Sequence, residues 1–182
     1  MFSIRGSGGL PGEERSYARP LGRTALFFVV SGGYYQFYWF YRNWKDFKEY
    51  LNLDFNLAFR TIGLFVPFLN LYLVWKQFSE INGLLEEAGL DPCSIRTLHP
   101  VWAGFFFAGN RGLFYAKTWV DALCAIAALI LSCVPLLVVQ KRLNGYWREV
   151  QGDLPPREVS KGELAAVALS CLLTWGELLA VG

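Results

Sequence analysis

The sequence contains little charge and few of the residue types that build catalytic sites. Only 18% of its residues are charged, whereas a soluble domain carries about a quarter. It has one histidine, His99, and no HExxH, GxxxxGK[ST] or CxxC motif. Because nothing in the sequence places a nucleophile or an acid beside His99, it predicts no Ser-His-Asp or Cys-His set. We therefore predict a protein that is not an enzyme and binds no cofactor or metal.

Strong net charge and paired cysteines are absent as well. The net charge of +2 is small and scattered, which does not suit a nucleic-acid-binding surface. The four cysteines show no paired spacing, and three of them lie in apolar runs. They are Cys93, Cys124, Cys133 and Cys171. We interpret them as packing residues and not as disulfides or metal ligands.

Apolar residues, in contrast, make up 54% of the chain, and aromatic residues 17%. The longest uncharged run follows Asp121 and ends at Val139. As a helix it would be roughly 27 Å long, which is close to the thickness of a bilayer's hydrocarbon core. Trp119 precedes it and Lys141 follows it, as expected at the two interfaces of a membrane span. This run predicts a spanning helix over 118–140, around which the rest of the chain packs.

Two further apolar segments precede this run. Residues 24–41 predict a first span, in which Gly32-Gly33 allows a kink or a close helix contact. A second span begins near position 57 or 62 and continues to about 78, with a kink expected at Pro67. Residues 1–23 are rich in Gly and Pro and predict a flexible N-terminal tail, which leaves 24–182 as a single transmembrane helical domain.

The remaining apolar segments are 97–116 and 164–181. The second of these predicts a last span, and the capping-box pair Ser160 and Glu163 opens it. Asn110-Arg111-Gly112 interrupts the first, as is typical of re-entrant or interfacial helices. The predicted fold is thus an all-α, polytopic membrane helix bundle. It has about four transmembrane helices plus one re-entrant or interfacial half-helix.

The distribution of Lys and Arg predicts the orientation. The basic connector 140–162 is expected on the cytoplasmic side. If 97–116 does not cross, the basic segment 42–48 lies on the same side and the acidic loop 80–91 lies outside. The arginines of the tail would then also lie outside, against the usual charge bias. An interfacial or re-entrant first segment would remove that conflict.

Five polar residues in or beside apolar segments are candidates for an intramembrane or interface site. They are Arg60, Asn70, Arg111, Asp121 and Glu177. Ionisable groups at such positions are costly unless they pair or reach the interface. The five fit either hydrated positions at headgroup level or a polar seam for an ion, a lipid headgroup or a partner helix. Arg111 and Asp121 lie near the same boundary and are candidates for an ion pair.

A second candidate group, for interfacial anchoring or docking, belongs to the end of the first predicted span. It consists of Trp39, Tyr41, Trp44, Lys45 and Lys48. On a helix, Tyr41, Trp44 and Lys48 share one face. The group fits an aromatic belt that continues into a charged extension, or a surface that docks a partner or a lipid headgroup.

The string Tyr38-Trp39-Phe40-Tyr41-Arg42-Asn43-Trp44-Lys45 resembles a hallmark of a family of small bacterial multi-spanning membrane proteins. The chain is also similar to that family in Phe59-Arg60 before the second span, and in the exits 76–82 and 135–144. The resemblance covers roughly 24–181. It implies a multi-pass protein of the bacterial inner membrane, and it brings no assigned activity.

Together these features predict a non-catalytic subunit or scaffold of a membrane protein complex, because aromatic contact surface is abundant and a catalytic set is missing. The expected partners are membrane lipids and other membrane proteins, in a hetero-complex or a homo-oligomer, and not nucleic acid. The alternative is a small transporter or channel with Pro67 and Pro135 as hinges. A third class, a lipid-modifying enzyme, would use His99 and nearby carboxylates.

Overall fold

The part of the chain described by the structure, residues 16–180 of a computed structural model, is built from helices. It contains seven: α1 (Leu21–Val30), α2 (Tyr35–Leu51), α3 (Leu57–Gly63), α4 (Pro67–Glu87), α5 (Ile95–Tyr115), α6 (Trp119–Gln151) and α7 (Lys161–Ala180). Residues 16–180 contain no strand, so the all-α class is confirmed.

Helix α6 is the axis around which the other elements pack. Its 33 residues give it a length of about 50 Å. A capping box begins it: the Asp121 N–H donates to Thr118 Oγ1, and the Thr118 N–H donates to the Asp121 carboxylate. Pro135 lies inside the helix without ending it, and the helix continues beyond the predicted end at 140. Within residues 16–180 it is the one helix long and apolar enough to cross a membrane.

Helix α5 runs antiparallel to α6 and packs closely against it. Gly109 and Gly112 make this approach possible, because a Cβ atom on Gly109 would lie 2.6 Å from Leu129 Cγ, and one on Gly112 would lie 2.9 Å from Ala125 Cβ. The helix is continuous through 110–112 and its 21 residues span about 31 Å. The prediction that 110–112 interrupts this segment and leaves a half-helix is therefore wrong.

Helices α1 and α2 form a hairpin and not the single span predicted over 24–41. Helix α1 begins beside Lys141, where the two helices line a common groove. The chain reverses where the Gly33 carbonyl oxygen lies 3.7 Å from Cys133 Sγ. Helix α2 then runs parallel to α6, toward the C-terminal end of α6. Near its end the Tyr50 ring lies 5.2 Å from the ring of Trp147. The hairpin thus covers only the half of α6 that leads to its C-terminal end.

The reversal between α1 and α2 requires glycine. Gly32 and Gly33 have backbone φ values of +56° and +91°. Residues other than glycine adopt such values with strain. A Cβ atom on Gly33 would also lie 2.7 Å from the carbonyl oxygen of Leu129. The turn is closed by the Gly33 N–H, which donates to the Phe28 carbonyl oxygen at 2.8 Å.

Helices α3 and α4 form a second hairpin. Arg60 of α3 and Glu80 of α4 join them, with two side-chain hydrogen bonds of 2.8 and 2.9 Å. The chain reverses at 64–66, where the Phe65 ring stacks on Phe37 of the first hairpin at 4.8 Å. Pro67 is the first residue of α4, a position where its missing N–H is not needed. The expected kink within one continuous span is therefore wrong.

Helix α7 lies along the whole apolar length of α6, in the opposite direction. The Glu163 N–H donates to Ser160 Oγ at 3.1 Å, as the predicted cap requires. About two-thirds of the way along it, Thr174 Oγ1 donates to the Ser31 carbonyl oxygen, in the turn of the first hairpin, at 2.8 Å. Near its end Leu178 packs on Ala122, close to the start of α6.

These elements define two ends of the bundle. The charged end holds the starts of α1, α5 and α7 and the ends of α2, α4 and α6, whereas the far end holds the link 116–118 and the end of α7. The acidic loop 80–91 belongs to the charged end, because Asp91 lies 3.7 Å from Arg142. Its predicted position opposite the basic connector is therefore wrong. Residues 16–20 of the predicted tail pack at this same end, and residues 1–15 lie outside the described residues.

Candidate functional site

A buried ion cluster lies at the charged end. The Asp46 carboxylate, 1% exposed, pairs with the guanidinium groups of Arg19, Arg42 and Arg157. The Arg42 and Arg157 nitrogens lie 3.1 and 3.4 Å from its oxygen. Asp46 and Arg42 come from α2, whereas Arg19 precedes α1 and Arg157 belongs to the link between α6 and α7. One carboxylate thus ties three segments together and leaves an excess of positive charge.

Amide side chains extend this cluster toward the middle of the bundle. Arg19 donates to Asn43 Oδ1 at 3.1 Å, and its backbone exchanges two hydrogen bonds with the Asn144 amide at 2.9 and 2.7 Å. The Gln140 side chain donates from Nε2 to Asn144 Oδ1 at 2.8 Å. Its Oε1 accepts from Trp39 Nε1 at 2.7 Å. Most of these side-chain groups have partners, which makes their burial tolerable, whereas Asn43 Nδ2 has none within residues 16–180.

A second polar contact lies deeper and joins three helices. Trp102 Nε1 of α5 donates to Gln36 Oε1 of α2 at 2.9 Å. The Gln36 amide nitrogen lies 3.5 Å from Ser132 Oγ of α6. Beside it, the Tyr35 hydroxyl donates to the Glu163 carboxylate of α7 at 2.5 Å. Helix α2 is therefore fixed by hydrogen bonds to each of the three long helices around it.

Two of the predicted polar residues, Arg60 and Asn70, stabilise the second hairpin. Arg60 is buried, pairs with Glu80 and lies 3.8 Å from the centre of the Phe55 ring. Asn70 Nδ2 donates to the Leu64 carbonyl oxygen in the turn at 2.5 Å, while its Oδ1 has no partner within residues 16–180. Asn70 holds a group of its own hairpin, whereas Arg60 also lies over the ring of Trp44 of α2, 5.6 Å from its centre.

The other three predicted polar residues do not form a site together. Asp121 accepts hydrogen bonds from the helix start at Thr118, whereas Arg111 lies over the Tyr115 ring at 4.9 Å. Across the described ranges no ion pair joins Arg111 to Asp121, so the expected pair does not form. Glu177 belongs to α7, and its side chain lies outside the described residues.

The predicted docking group divides into buried and partly exposed residues. Its members are Trp39, Tyr41, Trp44, Lys45 and Lys48. Trp39 and Trp44 are 0% exposed and belong to the core, so they are not interfacial anchors. Tyr41 and the two lysines are half-buried. Lys45 pairs with Glu49 at 3.5 Å, and Lys48 donates to the Phe55 carbonyl oxygen at 2.8 Å.

His99, the centre of the enzymatic alternative, lies inside α5 and not in a turn. Its Nε2 lies 3.0 Å from the Leu71 carbonyl oxygen, to which it donates, and its ring centre lies 6.0 Å from that of Trp102. In the part of the chain that the structure describes, no group of three His, Cys, Asp or Glu side chains is placed to hold a metal ion. Burial raises the pKa of the Cys93 thiol, which disfavours a reactive thiolate there.

A band of large exposed apolar side chains surrounds the rest of the bundle. On the α3–α4 turn the exposed fractions reach 67% at Phe65 and 87% at Phe68. Other members on α1, α6 and α7 are Leu26, Val29, Val120, Leu123, Leu131, Val134, Val138, Leu164, Leu169, Leu172, Leu173 and Leu179. Between α1 and α6 an apolar groove of about 380 Å³ opens into this band and has Lys141 at one end. Exposed apolar side chains in such number are uncommon on monomeric soluble proteins.

The buried polar contacts around Asp46, Asn144 and Gln36 were not predicted from the sequence, because no local sequence motif marks these residues. Gln36, Asn43 and Asp46 follow helical spacing along α2, and Gln140 and Asn144 are four residues apart on α6. That spacing places each set on one face, a pattern that could have drawn attention to them. The sequence does not show that the two faces meet.

The chain matches no family model, no curated protein and no solved structure.

Proposed function

We propose that the chain is an integral membrane protein in which α5, α6 and α7 span the bilayer, while the two hairpins enter it halfway from one side. The exposed apolar band carries this proposal: of the helices within 16–180, α6 alone is both long and apolar enough to span, and the band continues over α5 and α7, which have suitable length. Helices α5 and α7, with 21 and 20 residues, are each about 30 Å long. In water the band would be a strong aggregation hazard, whereas in lipid it is the expected outer surface.

The depth of the hairpins supports this arrangement. Both turns lie near the level of 129–133 on α6, which is the middle of its uncharged run. Backbone that is not helical is tolerated at such depth only where its polar groups have partners. Here Ser31 Oγ accepts from the Tyr35 N–H at 3.0 Å, and Asn70 donates to the Leu64 carbonyl oxygen.

The basic residues support an orientation. Of the 15 Lys and Arg residues within 16–180, only Arg111 and Lys117 belong to the half of the bundle near the far end. By the positive-inside rule the charged end faces the cytoplasm. The first hairpin returns to the side from which it entered, so Arg19 and the segment 42–48 lie on one side. Under this arrangement the tail arginine Arg19 no longer lies outside, a position that would go against the usual charge bias.

Within this arrangement the function that the geometry supports best is that of a non-catalytic subunit or scaffold. Its buried polar groups are used to join helices, and the groove beside α1 is apolar. The proposal extends to a complex with other membrane proteins through the exposed aromatic surface near Phe65 and Phe68, which lipid or a partner helix would cover.

Two measurements test these proposals separately. Resistance of the membrane-bound chain to extraction at alkaline pH is expected of an integral protein, and release into the supernatant would contradict the membrane arrangement. Native mass spectrometry after extraction in mild detergent is expected to show a defined hetero-complex or homo-oligomer. A lone monomer that mediates ion flux in liposomes would instead favour a transporter or channel.

A further inference from the structure

The two halves of the bundle differ in how many helices they contain. The half near the charged end contains all seven helices, because α1, α2 and α4 run between that end and the middle, and the short helix α3 leads into the turn at the middle. In the other half of the described bundle only α5, α6 and α7 continue. In a bilayer, one leaflet would thus hold seven helices and the opposite leaflet three.

The difference in cross-section is large. A helix with its side chains has a diameter of about 10–12 Å and occupies roughly 80–110 Å² of membrane area. Four additional helices therefore add roughly 300–450 Å² to one leaflet alone. An insertion into a single leaflet expands that leaflet relative to the other, which makes binding sensitive to curvature.

The bundle is thus a wedge, with a wide half of seven helices and a narrow half of three, and contacts between its elements hold it together. Trp39 of the first hairpin is bound to Gln140 of α6, and Arg60 clamps the two legs of the second hairpin through Glu80. The hairpins also touch each other where Phe37 stacks on Phe65. These contacts keep both hairpins beside the long helices, and the depth of the second turn also depends on its exposed apolar side chains, Ile62 and Phe68.

We infer that the protein concentrates in, and stabilises, membrane that is convex on its charged side. This inference rests on the proposed membrane arrangement, and it adds an activity: sensing and supporting positive curvature of the leaflet that holds both hairpins. The lipid of that leaflet is the partner, and its packing is what the wedge recognises.

A single-vesicle fluorescence assay tests the inference. The labelled full chain is reconstituted into vesicles of phosphatidylcholine and phosphatidylglycerol, and protein per lipid is measured against diameter. We expect at least about twofold enrichment in vesicles of about 50 nm relative to vesicles of about 400 nm, with the charged end outward. Equal density at both sizes would overturn the inference. Loss of the chain from both sizes under alkaline wash would overturn the proposed function instead.

A pair of variants shows whether the hairpin causes the effect. Ile62→Ser/Phe68→Ser makes the exposed turn of the second hairpin polar, so the turn withdraws toward the headgroups. Leu172→Ser/Leu173→Ser is the matched control, because it changes two exposed side chains near mid-depth on a helix anchored at both ends. The hairpin variant is expected to lose at least about half of the enrichment, and the control to keep it. Equal losses in both variants would contradict a wedge formed by the hairpin.

Discussion

Replacing Gly33 by alanine tests the reversal between α1 and α2, on which the proposed half-depth insertion of the first hairpin depends. Gly33 has a φ of +91°, and a Cβ atom there would lie 2.7 and 2.8 Å from the carbonyl oxygen and carbon of Leu129. The clash is with the backbone of α6, and a backbone does not move aside as the end of a side chain does. Alanine must therefore shift either the turn or the central helix.

The expected cost has two parts. A left-handed backbone costs a residue with a Cβ atom roughly 1–2 kcal/mol. Overpacking in a filled interior costs about 1–3 kcal/mol more. We therefore expect Gly33→Ala to lower the free energy of unfolding by about 2–5 kcal/mol.

Gly22 provides the control within the same hairpin. Nothing lies within 4 Å of a Cβ atom built on it, and it belongs to a regular helix. Gly22→Ala is therefore expected to be neutral or to stabilise by up to about 1 kcal/mol. Unfolding is followed in mild detergent by circular dichroism with increasing dodecyl sulfate. Equal midpoints for Gly33→Ala and the wild type would refute the close approach of this turn to α6.

Three other substitutions or reactions probe the remaining contacts. Asp46→Ala leaves guanidinium groups buried together and is expected to lower the free energy of unfolding by about 3–5 kcal/mol. Glu49→Gln, in an exposed ion pair, should change it by less than about 1 kcal/mol. Similar unfolding midpoints for the two variants would argue against the buried cluster. Arg60→Lys cannot form both hydrogen bonds to Glu80 or stack as well on Phe55, so a loss of about 1–3 kcal/mol is expected in the same assay, and full stability would show that the clamp is not used. Because burial raises the pKa of Cys93, its alkylation by iodoacetamide near neutral pH should be slower in the folded chain than in dodecyl sulfate, and it should speed up as pH rises; equal rates in the two states would contradict its burial.

The sequence predicted the elements that depend on local signals. The uncharged run of α6 and the cap that begins α7 at Ser160 are properties of neighbouring residues, and both occur where they were expected. A kink was predicted at Pro67, and a kink or a close helix contact at Gly32-Gly33; the close contact with α6 occurs, but neither reversal was predicted. A glycine pair or a proline ends regular helix in both cases, and whether the chain then continues or returns depends on contacts with distant helices.

Helix α5 shows the opposite error. Asn110-Arg111-Gly112 is polar and contains a poor helix former, so it indicated a break. The helix continues because Gly109 and Gly112 allow the backbone of α5 to approach α6, which outweighs their low intrinsic propensity. Tertiary packing decided the structure of this segment.

The polar network was beyond a sequence-based prediction for a similar reason. Trp39 was expected at an interface, where tryptophan is common, but its indole N–H is bound to Gln140, 101 residues away. Asp46, among basic neighbours, looked like part of a hydrated extension and is instead buried among arginines from two other segments. Only the folded chain brings these groups together.

The arrangement with three spanning helices and two half-depth hairpins is tested most directly by cysteine accessibility in sealed vesicles. On a cysteine-free background, Asp91→Cys and Lys117→Cys place single exposed thiols in the links that precede and follow α5. Labelling with a maleimide that does not cross membranes is expected from opposite sides of the bilayer, with Asp91→Cys on the same side as Asp153→Cys. Labelling of Asp91→Cys and Lys117→Cys from the same side would contradict the crossing of α5 and, with it, the half-depth insertion of both hairpins.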